Sequence, residues 1–154
     1  MATEIERKYL VLDETWRSRA VGMVFRQGYL STVKERTVRV RVVGDLGYLT
    51  VKGLTVGSVR TEFEYKVPIA DAEQMLDELC EQPLIEKTRY VIEENGLTWE
   101  IDEFAGANEG LIVAEVELGD ESQQVDPPDW VGEEVTNDAR YFNANLIAHP
   151  FSEW

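Results

Sequence analysis

The chain has 154 residues, 44% of them hydrophobic, and its 30 acidic and 15 basic side chains give a formal net charge of −15. This length and composition predict one domain spanning residues 1–154 with a sizeable buried core. So acidic a chain is not expected to bind nucleic acid, because such binding needs basic surface to displace counterions. No apolar run approaches the ~20 residues of a membrane-spanning helix, and no signal-peptide pattern opens the sequence.

The single cysteine, Cys80, rules out a disulfide framework within the chain. This is typical of the reducing cytoplasm, where we expect the protein to reside. Cys80 falls on the apolar stripe of a predicted helix, so we interpret it as a core residue rather than a nucleophile. The single histidine, His149, argues against a histidine-dependent triad or a histidine-rich metal site.

Residues 4–12 alternate in the manner of a β-strand, with Glu4, Glu6 and Lys8 on one face. Taken alone, this pattern predicts an ordinary amphipathic edge strand. The same two-residue spacing of charges recurs downstream at Arg39 and Arg41, Lys52, Arg60, Glu62 and Glu64, Lys87 and Arg89, Glu100 and Asp102, and Glu115 and Glu117. One solvated face rarely carries so many regular charge pairs, and we therefore expect a closed barrel with a charged lumen.

The chain after the first strand alternates between strand patterns and turns. Asp13 is a candidate cap for a short helix over residues 14–20. Strands are predicted at residues 25–31, 34–43, 48–52 and 59–66, with turns at 44–47 and 53–58. Asp71 and Gln74 have the spacing of a capping box. The helix that follows has core spacing at Ala72, Met75, Leu76 and Leu79.

The best-determined local geometry is the hairpin around Asn95 and Gly96. This dipeptide between two alternating runs predicts a two-residue type I′ turn. Counting outward from the turn places Arg89 across from Asp102, where the pair is either a weak cross-strand ion pair or part of a charged lumen. In a lumen, Arg89 would lower the pKa of Asp102.

The rest of the chain predicts one more strand at residues 111–118, a loop at 119–128 and a helix at 138–148. Strands outnumber helices, and turns separate them at short intervals. The fold class expected is mainly β: a closed eight-stranded antiparallel barrel with a few peripheral helices.

Several of these stretches form an ordered set of motifs. They are Glu-x-Glu-x-Lys (4–8), Arg-Val-Arg (39–41), Tyr-Leu-Thr-Val-Lys (48–52), Glu-Lys-Thr-Arg-Tyr (86–90), Ala-Glu-Val-Glu (114–117) and residues 133–141. The set resembles the signature of the CYTH superfamily, the triphosphate tunnel metalloenzymes, and spans nearly the whole chain. With Gln-Gly-Tyr-Leu (27–30), it most resembles the bacterial inorganic triphosphatase branch.

The residue types also indicate a chemistry by themselves. Arginine offers a planar fork to phosphate oxygens and lysine offers a compact charge, so several of each suit a linear polyphosphate. Carboxylates without histidine or cysteine neighbours suit Mg²⁺ or Mn²⁺ better than zinc.

The resemblance assigns roles to the residues of these motifs. It implies a metal held by Glu4, Glu6 and Glu117, with Glu100, Asp102 and Glu115 placing a second metal or the attacking water. The phosphate-binding set is Lys8, Arg39, Arg41, Lys52, Arg60, Lys87, Arg89 and Arg140. Lys87 with Tyr29 resembles a dyad that activates water, although Tyr29 equally suits a core aromatic. Glu62 and Glu64 are interpreted as partners that order the arginines.

The function expected is metal-dependent hydrolysis of inorganic triphosphate to pyrophosphate and phosphate. The alternatives are an adenylate cyclase of the same superfamily, a thiamine triphosphatase, and a non-enzymatic module that binds polyphosphate or nucleotide. The sequence leaves open whether the metal or Lys87 activates water and which of the two metals is used. By resemblance the protein is compatible with a homodimer.

Overall fold

The computed structural model describes residues 3–154, which form nine strands and several short helices. The strands are β1 (Thr3–Val11), β2 (Met23–Ser31), β3 (Arg36–Val43), β4 (Leu46–Gly53), β5 (Val59–Val67), β6 (Ile85–Glu94), β7 (Leu97–Phe104), β8 (Ile112–Glu117) and β9 (Val131–Glu134). The helices are α1 (Ile69–Glu78) and α2 (Asn145–Ala148), with 3-10 turns at Thr15–Arg19, Gly106–Asn108, Ala139–Tyr141 and Phe151–Glu153.

Eight of the strands close into an antiparallel barrel. The order is β5-β4-β3-β2-β6-β7-β8-β1, and β1 pairs with β5 to complete the ring. The predicted eight-stranded barrel is therefore confirmed. A ninth strand, β9, pairs with the second half of β1 beyond the point where β5 ends. This strand begins after the predicted loop at 119–128, in a stretch where no strand was predicted.

The β6–β7 hairpin has the predicted turn and register. Asn95 and Gly96 both have positive φ, at 55° and 76°, as a type I′ turn requires. Glu94 pairs with Leu97, and Arg89 lies directly across from Asp102. Because side chains alternate along both strands, this register places Arg89 and Asp102 together on the inner face.

The outer face of the barrel is apolar where other parts of the chain cover it. One cluster is built on Trp16, Trp99 and Trp130, which are almost fully buried, against β1, β7 and β8. Helix α1 covers a second cluster, in which Leu76 packs with Cys80 against β2 to β4. Cys80 is buried there, which confirms its assignment to the core.

The C-terminal segment, defined here as residues 135–154, fills one end of the barrel. Its residues Tyr141, Leu146 and Ile147 pack against inward-facing side chains such as Phe104 and Val113. This apolar plug leaves the remainder of the lumen to the charged residues.

The prediction for the first α-helix was wrong in two details. Helix α1 begins at Ile69, directly after Pro68, whose carbonyl accepts the first helical hydrogen bond from Ala72. Asp71 therefore lies inside the helix and forms no capping box, and Gln74 instead donates to Glu78. The helix ends at Glu78, so the last residue of the predicted stripe, Leu79, is 65% exposed.

The other predicted helices are shorter than expected. The segment after Asp13 is a 3-10 turn, in which Asp13 accepts hydrogen bonds from the backbone N–H and hydroxyl of Thr15. The helix predicted over residues 138–148 is interrupted because Phe142 has an extended backbone. That interruption turns Asn143 into the barrel. Within residues 3–154, no helix is long and apolar enough to cross a membrane.

Candidate active site

The barrel lumen contains a cavity of about 330 Å³ with charged walls. Alternation along the strands brings side chains from seven of the eight barrel strands to this space. Seven of the eight predicted phosphate-binding residues line it: Lys8, Arg39, Arg41, Lys52, Arg60, Lys87 and Arg89. Lys34, on the β2–β3 loop, is an eighth cationic lining residue that the sequence analysis did not single out.

Arg140, the remaining predicted phosphate-binding residue, lies outside the cavity. Its guanidinium is largely exposed, pairs with Asp138 at 2.7 Å and stacks over Trp154. The cause is the 3-10 turn at residues 139–141, which directs Arg140 away from the lumen while Tyr141 packs inward. The structure therefore does not bring Arg140 to the other cations.

The predicted carboxylates divide into two groups. Glu4, Glu6 and Glu115 line the cavity. Those that do not are Glu62, Glu64, Glu100, Asp102 and Glu117. Of these, Glu117 is exposed, although its register places it directly across from Glu6.

Ion pairs order many of the lumen charges. Glu4 accepts two hydrogen bonds from Lys52, at 3.0 and 3.1 Å, and Glu115 lies 3.6 Å from Lys8. Glu64 lies 3.5 Å from Arg39, consistent with its interpretation as an ordering partner. These pairs hold each long side chain in one direction, which reduces the entropy lost when a ligand binds.

The cations crowd one another strongly enough to favour an anion among them. Burial, together with the charges of Arg39 and Arg89, lowers the pKa of Arg41 to about 9. The Nε of Arg39 is buried and has no hydrogen-bond partner among the described residues. A buried donor without a partner is costly, and a phosphate oxygen would satisfy it.

Lys87 is the most deeply buried of these cations. Burial lowers its pKa to about 7, helped by the charges of Arg89 and Arg41 and opposed by Asp102. Its Nζ donates to Asp102 Oδ2 at 2.6 Å and to Asn143 Oδ1 at 3.2 Å. Burial and neighbouring positive charges both disfavour the protonated form of a lysine, which explains the lowered pKa.

Asp102 serves as the partner of two cations. Burial acts to raise its pKa, but the charges of Lys87 and Arg89 outweigh burial and hold the pKa well below its usual range. Arg89 donates to both carboxylate oxygens, at 2.7 and 2.9 Å. Since both oxygens are occupied, Asp102 is better suited to orient Lys87 and Arg89 than to bind a metal.

Glu6 is the lumen carboxylate with the most unfavourable surroundings. Burial raises its pKa well above the usual value, and the negative charges of Glu115 and Glu4 raise it further. A divalent cation between these oxygens would relieve that repulsion. Among residues 3–154, no three acidic, histidine or cysteine side chains lie close enough together to hold a metal. The reason is that the carboxylate of Glu4 pairs with Lys52 and that of Glu115 with Lys8.

Tyr29 has the burial expected of a core aromatic and also lines the cavity. It is 5% exposed and packs with Tyr141 and Leu146 of the C-terminal segment, and its role in a dyad with Lys87 stays a prediction. Two amide residues that reach the lumen, Gln27 and Asn143, were not identified in the sequence analysis. Gln27 shares the inner face of β2 with Tyr29, so the strand alternation could have identified it, whereas Asn143 lies in an irregular segment that no periodic pattern marks.

The comparisons with known proteins agree with this geometry. The CYTH domain family model matches residues 2–151. An inorganic triphosphatase of Acetivibrio thermocellus is 49% identical over the whole of this chain and 99% of its own length. One from Nitrosomonas europaea is 40% identical over 94% of this chain and 96% of its own.

The fold comparison leads to the same family. The crystal structure of an inorganic triphosphatase matches at a TM-score of 0.65 with 35% identity, covering 93% of this chain and 96% of the other. The family model matches nearly the whole chain, and two relatives share 49% and 40% sequence identity with it over nearly their full lengths. The structure is a closed barrel with a charged lumen. This chain belongs to the CYTH domain family.

Proposed function

We propose that this protein hydrolyses inorganic triphosphate to pyrophosphate and phosphate, with Mg²⁺ or Mn²⁺ as its cation. The main observation behind the proposal is the lumen cavity, whose cationic lining is Lys8, Arg39, Arg41, Lys52, Arg60, Lys87 and Arg89. So many cations in about 330 Å³ suit a short, highly charged anion. The names of the two full-length relatives support the same substrate.

The chain's own residues account for the binding of the anion. Arginine forks and lysine charges from several strands contact the phosphate oxygens from several sides, which neutralises charge and fixes the chain of phosphates in line for attack. Arg39 gains a partner for its buried Nε, and Arg41 gains a counter-charge. Binding therefore removes two unfavourable features of the free protein.

The carboxylate set fits a hard divalent cation, because its donor atoms are all oxygens and its charges repel one another. Glu4, Glu6 and Glu115 would hold the ion, with Glu4 and Glu115 exchanging their lysine partners for it, and Glu117 lies across from Glu6. Once bound, the ion would neutralise negative charge on the phosphates and lower the pKa of coordinated water. Asp102 stays hydrogen-bonded to Lys87 and Arg89 and has no part in holding the ion.

The chemical step is attack by water on a terminal phosphorus. As the new P–O bond forms, the bond to the bridging oxygen breaks, and pyrophosphate leaves with that oxygen. Lys87 in its neutral form takes the proton from water, and its pKa of about 7 makes this form abundant near neutrality. Tyr29 lines the same cavity, and the arginines stabilise the charge on the leaving group.

The test is phosphate release from inorganic triphosphate, ATP and thiamine triphosphate, measured with Mg²⁺ or Mn²⁺ and again with a chelator. We expect fast release from inorganic triphosphate that the chelator abolishes. Arg41→Ala should lower kcat/KM by about 100-fold or more, since a buried charged contact is lost. The matched control is Arg26→Ala, because Arg26 pairs with Asp77 on the outer surface.

Three results would contradict the proposal. Cyclic AMP formed from ATP would favour an adenylate cyclase, and preferential hydrolysis of thiamine triphosphate would favour that substrate. Tight binding of every triphosphate without turnover would indicate a recognition module.

A further inference from the structure

A hydrogen-bonded chain of side chains connects Arg41 to Lys87 through two amides. Arg41 Nε donates to Gln27 Oε1 at 2.8 Å. Gln27 Nε2 donates to Asn143 Oδ1 at 3.0 Å, and the same oxygen accepts from Lys87 Nζ at 3.2 Å. Gln27 is fully buried, directly across from Arg41 in the β2–β3 register.

The direction of this chain is fixed by chemistry. A guanidinium can only donate, so it requires the oxygen of Gln27 and turns the Gln27 amide N–H groups towards Asn143. Those N–H groups in turn require the oxygen of Asn143. Asn143 therefore presents an acceptor to Lys87, and the orientation of one amide determines that of the next.

Asn143 matters because of what a lysine nitrogen needs to act as a base. Neutral Lys87 has two N–H bonds and one lone pair at tetrahedral positions around Nζ. Asp102 Oδ2 and Asn143 Oδ1 are two acceptors, and each takes one N–H. The third position then holds the lone pair. With only one acceptor, the amine could rotate and spread its lone pair over several directions.

We propose that Gln27 and Asn143 are positioning residues that orient the Lys87 amine for proton abstraction. This inference rests on the proposed function, in which Lys87 is the base. Neither amide is required to contact the phosphates for this role: Gln27 fixes Asn143, and Asn143 fixes Lys87. The C-terminal segment thus supplies part of the catalytic geometry in addition to closing one end of the barrel.

The first test separates kcat from KM for inorganic triphosphate. Asn143→Ala should lower kcat by about 10- to 100-fold, the usual effect of a misplaced catalytic group, and change KM by less than about threefold. Gln27→Leu should lower kcat similarly. The double variant should be no worse than the poorer single variant, because both substitutions break one chain.

The matched control is Asn108→Ala. Asn108 is also a buried amide that ties down the C-terminal segment, since its Oδ1 accepts from the Phe151 N–H at 2.8 Å, but it lies away from the cavity. We expect it to lower the midpoint of thermal unfolding and leave kcat unchanged. A fall in kcat equal to that of Asn143→Ala would show that the effect is structural and overturn the inference.

A second readout does not depend on turnover. In an NMR spectrum of ¹⁵N-labelled protein, the Nζ–H signal of Lys87 should be resolved in the wild type and broadened by faster hydrogen exchange in Asn143→Ala and Gln27→Leu. Unchanged signals in both variants would overturn the inference even if either variant lost activity by partial unfolding.

The variant Lys87→Ala separates a failure of the proposed function from a failure of the positioning role alone. An inactive wild type, or a fully active Lys87→Ala, would refute the proposed role of Lys87 and this inference with it. An inactive Lys87→Ala beside Asn143→Ala with wild-type kcat would overturn the inference alone.

Discussion

At the scale of single residues, the lumen shows how burial and charge together set protonation. Lys87 and Asp102 are both almost fully buried and only 2.6 Å apart, yet the pKa of each is lowered. Burial dominates at Lys87, whereas Asp102 is held as a carboxylate by two cations. Lys87 therefore loses its proton near neutrality, whereas Asp102 keeps its negative charge. Their different surroundings suit Lys87 to act as a base and Asp102 to orient it.

This pair gives a prediction about pH. Below a pKa of about 7, Lys87 of the free protein carries a proton and cannot accept another, so kcat/KM should fall about tenfold per pH unit towards acid. Above it, neutral Lys87 predominates and kcat/KM should level off. The measurement is kcat/KM for inorganic triphosphate at saturating metal across this range.

The control for the pH profile is Lys87→Arg, which keeps a charge but cannot release a proton in this range. It should have little activity at any pH. If its residual activity still changed around neutrality, another group would be responsible for the profile.

At the scale of elements, the β6–β7 hairpin is the clearest case of a local sequence determining a long-range contact. The Asn95–Gly96 turn fixes the register, and the register alone places Arg89 across from Asp102. The irregular segment after β8 behaves in the opposite way. Its course depends on contacts with β1 and the lumen, including the hydrogen bond from Lys8 Nζ to the Tyr141 carbonyl.

The turn provides a stability prediction. Gly96→Ala should destabilise the fold by about 1–2 kcal/mol, because alanine resists the left-handed backbone at φ 76°. A Cβ at this position would meet no atom within 4 Å, so any loss is due to backbone conformation. Urea unfolding measures the effect, and kcat should stay unchanged.

Gly119→Ala is the matched control, since Gly119 is not among the glycines with positive φ and its added Cβ would meet only the Gln123 side chain at 3.7 Å. We expect a change within about 0.5 kcal/mol. Equal losses at both positions would contradict the explanation by backbone conformation.

At the scale of the whole molecule, charge is strongly partitioned. Eight cationic and three acidic side chains line the cavity, a formal +5, which leaves −20 on the rest of the chain. The exterior therefore repels itself while the lumen attracts anions. Salt screens both the repulsion on the exterior and the attraction of anions into the lumen, so both depend on ionic strength.

Raising NaCl from about 0.05 M to about 0.5 M should therefore stabilise the fold and weaken the binding of substrate. The midpoint of thermal unfolding should rise, because screening weakens repulsion on the acidic exterior. The KM for inorganic triphosphate should also rise, because the same salt screens attraction into the lumen. An unfolding midpoint that falls with salt would mean that surface ion pairs outweigh the net repulsion.

The closed barrel and seven of the eight cations that line its cavity could be predicted from the sequence, because strand alternation and turn chemistry are local properties that also set which face a residue occupies. It likewise predicted the Arg89–Asp102 pairing. Three other features came only from the three-dimensional structure: the exclusion of Arg140 from the cavity, the engagement of Asp102 by two cations, and the amide chain through Gln27 and Asn143. The first follows from the 3-10 turn at residues 139–141, which replaces the predicted helix. The amide chain depends on contacts between β2, β6 and the C-terminal segment, which lie far apart in the chain, and Asn143 reaches the lumen only because the helix predicted around it is broken at Phe142.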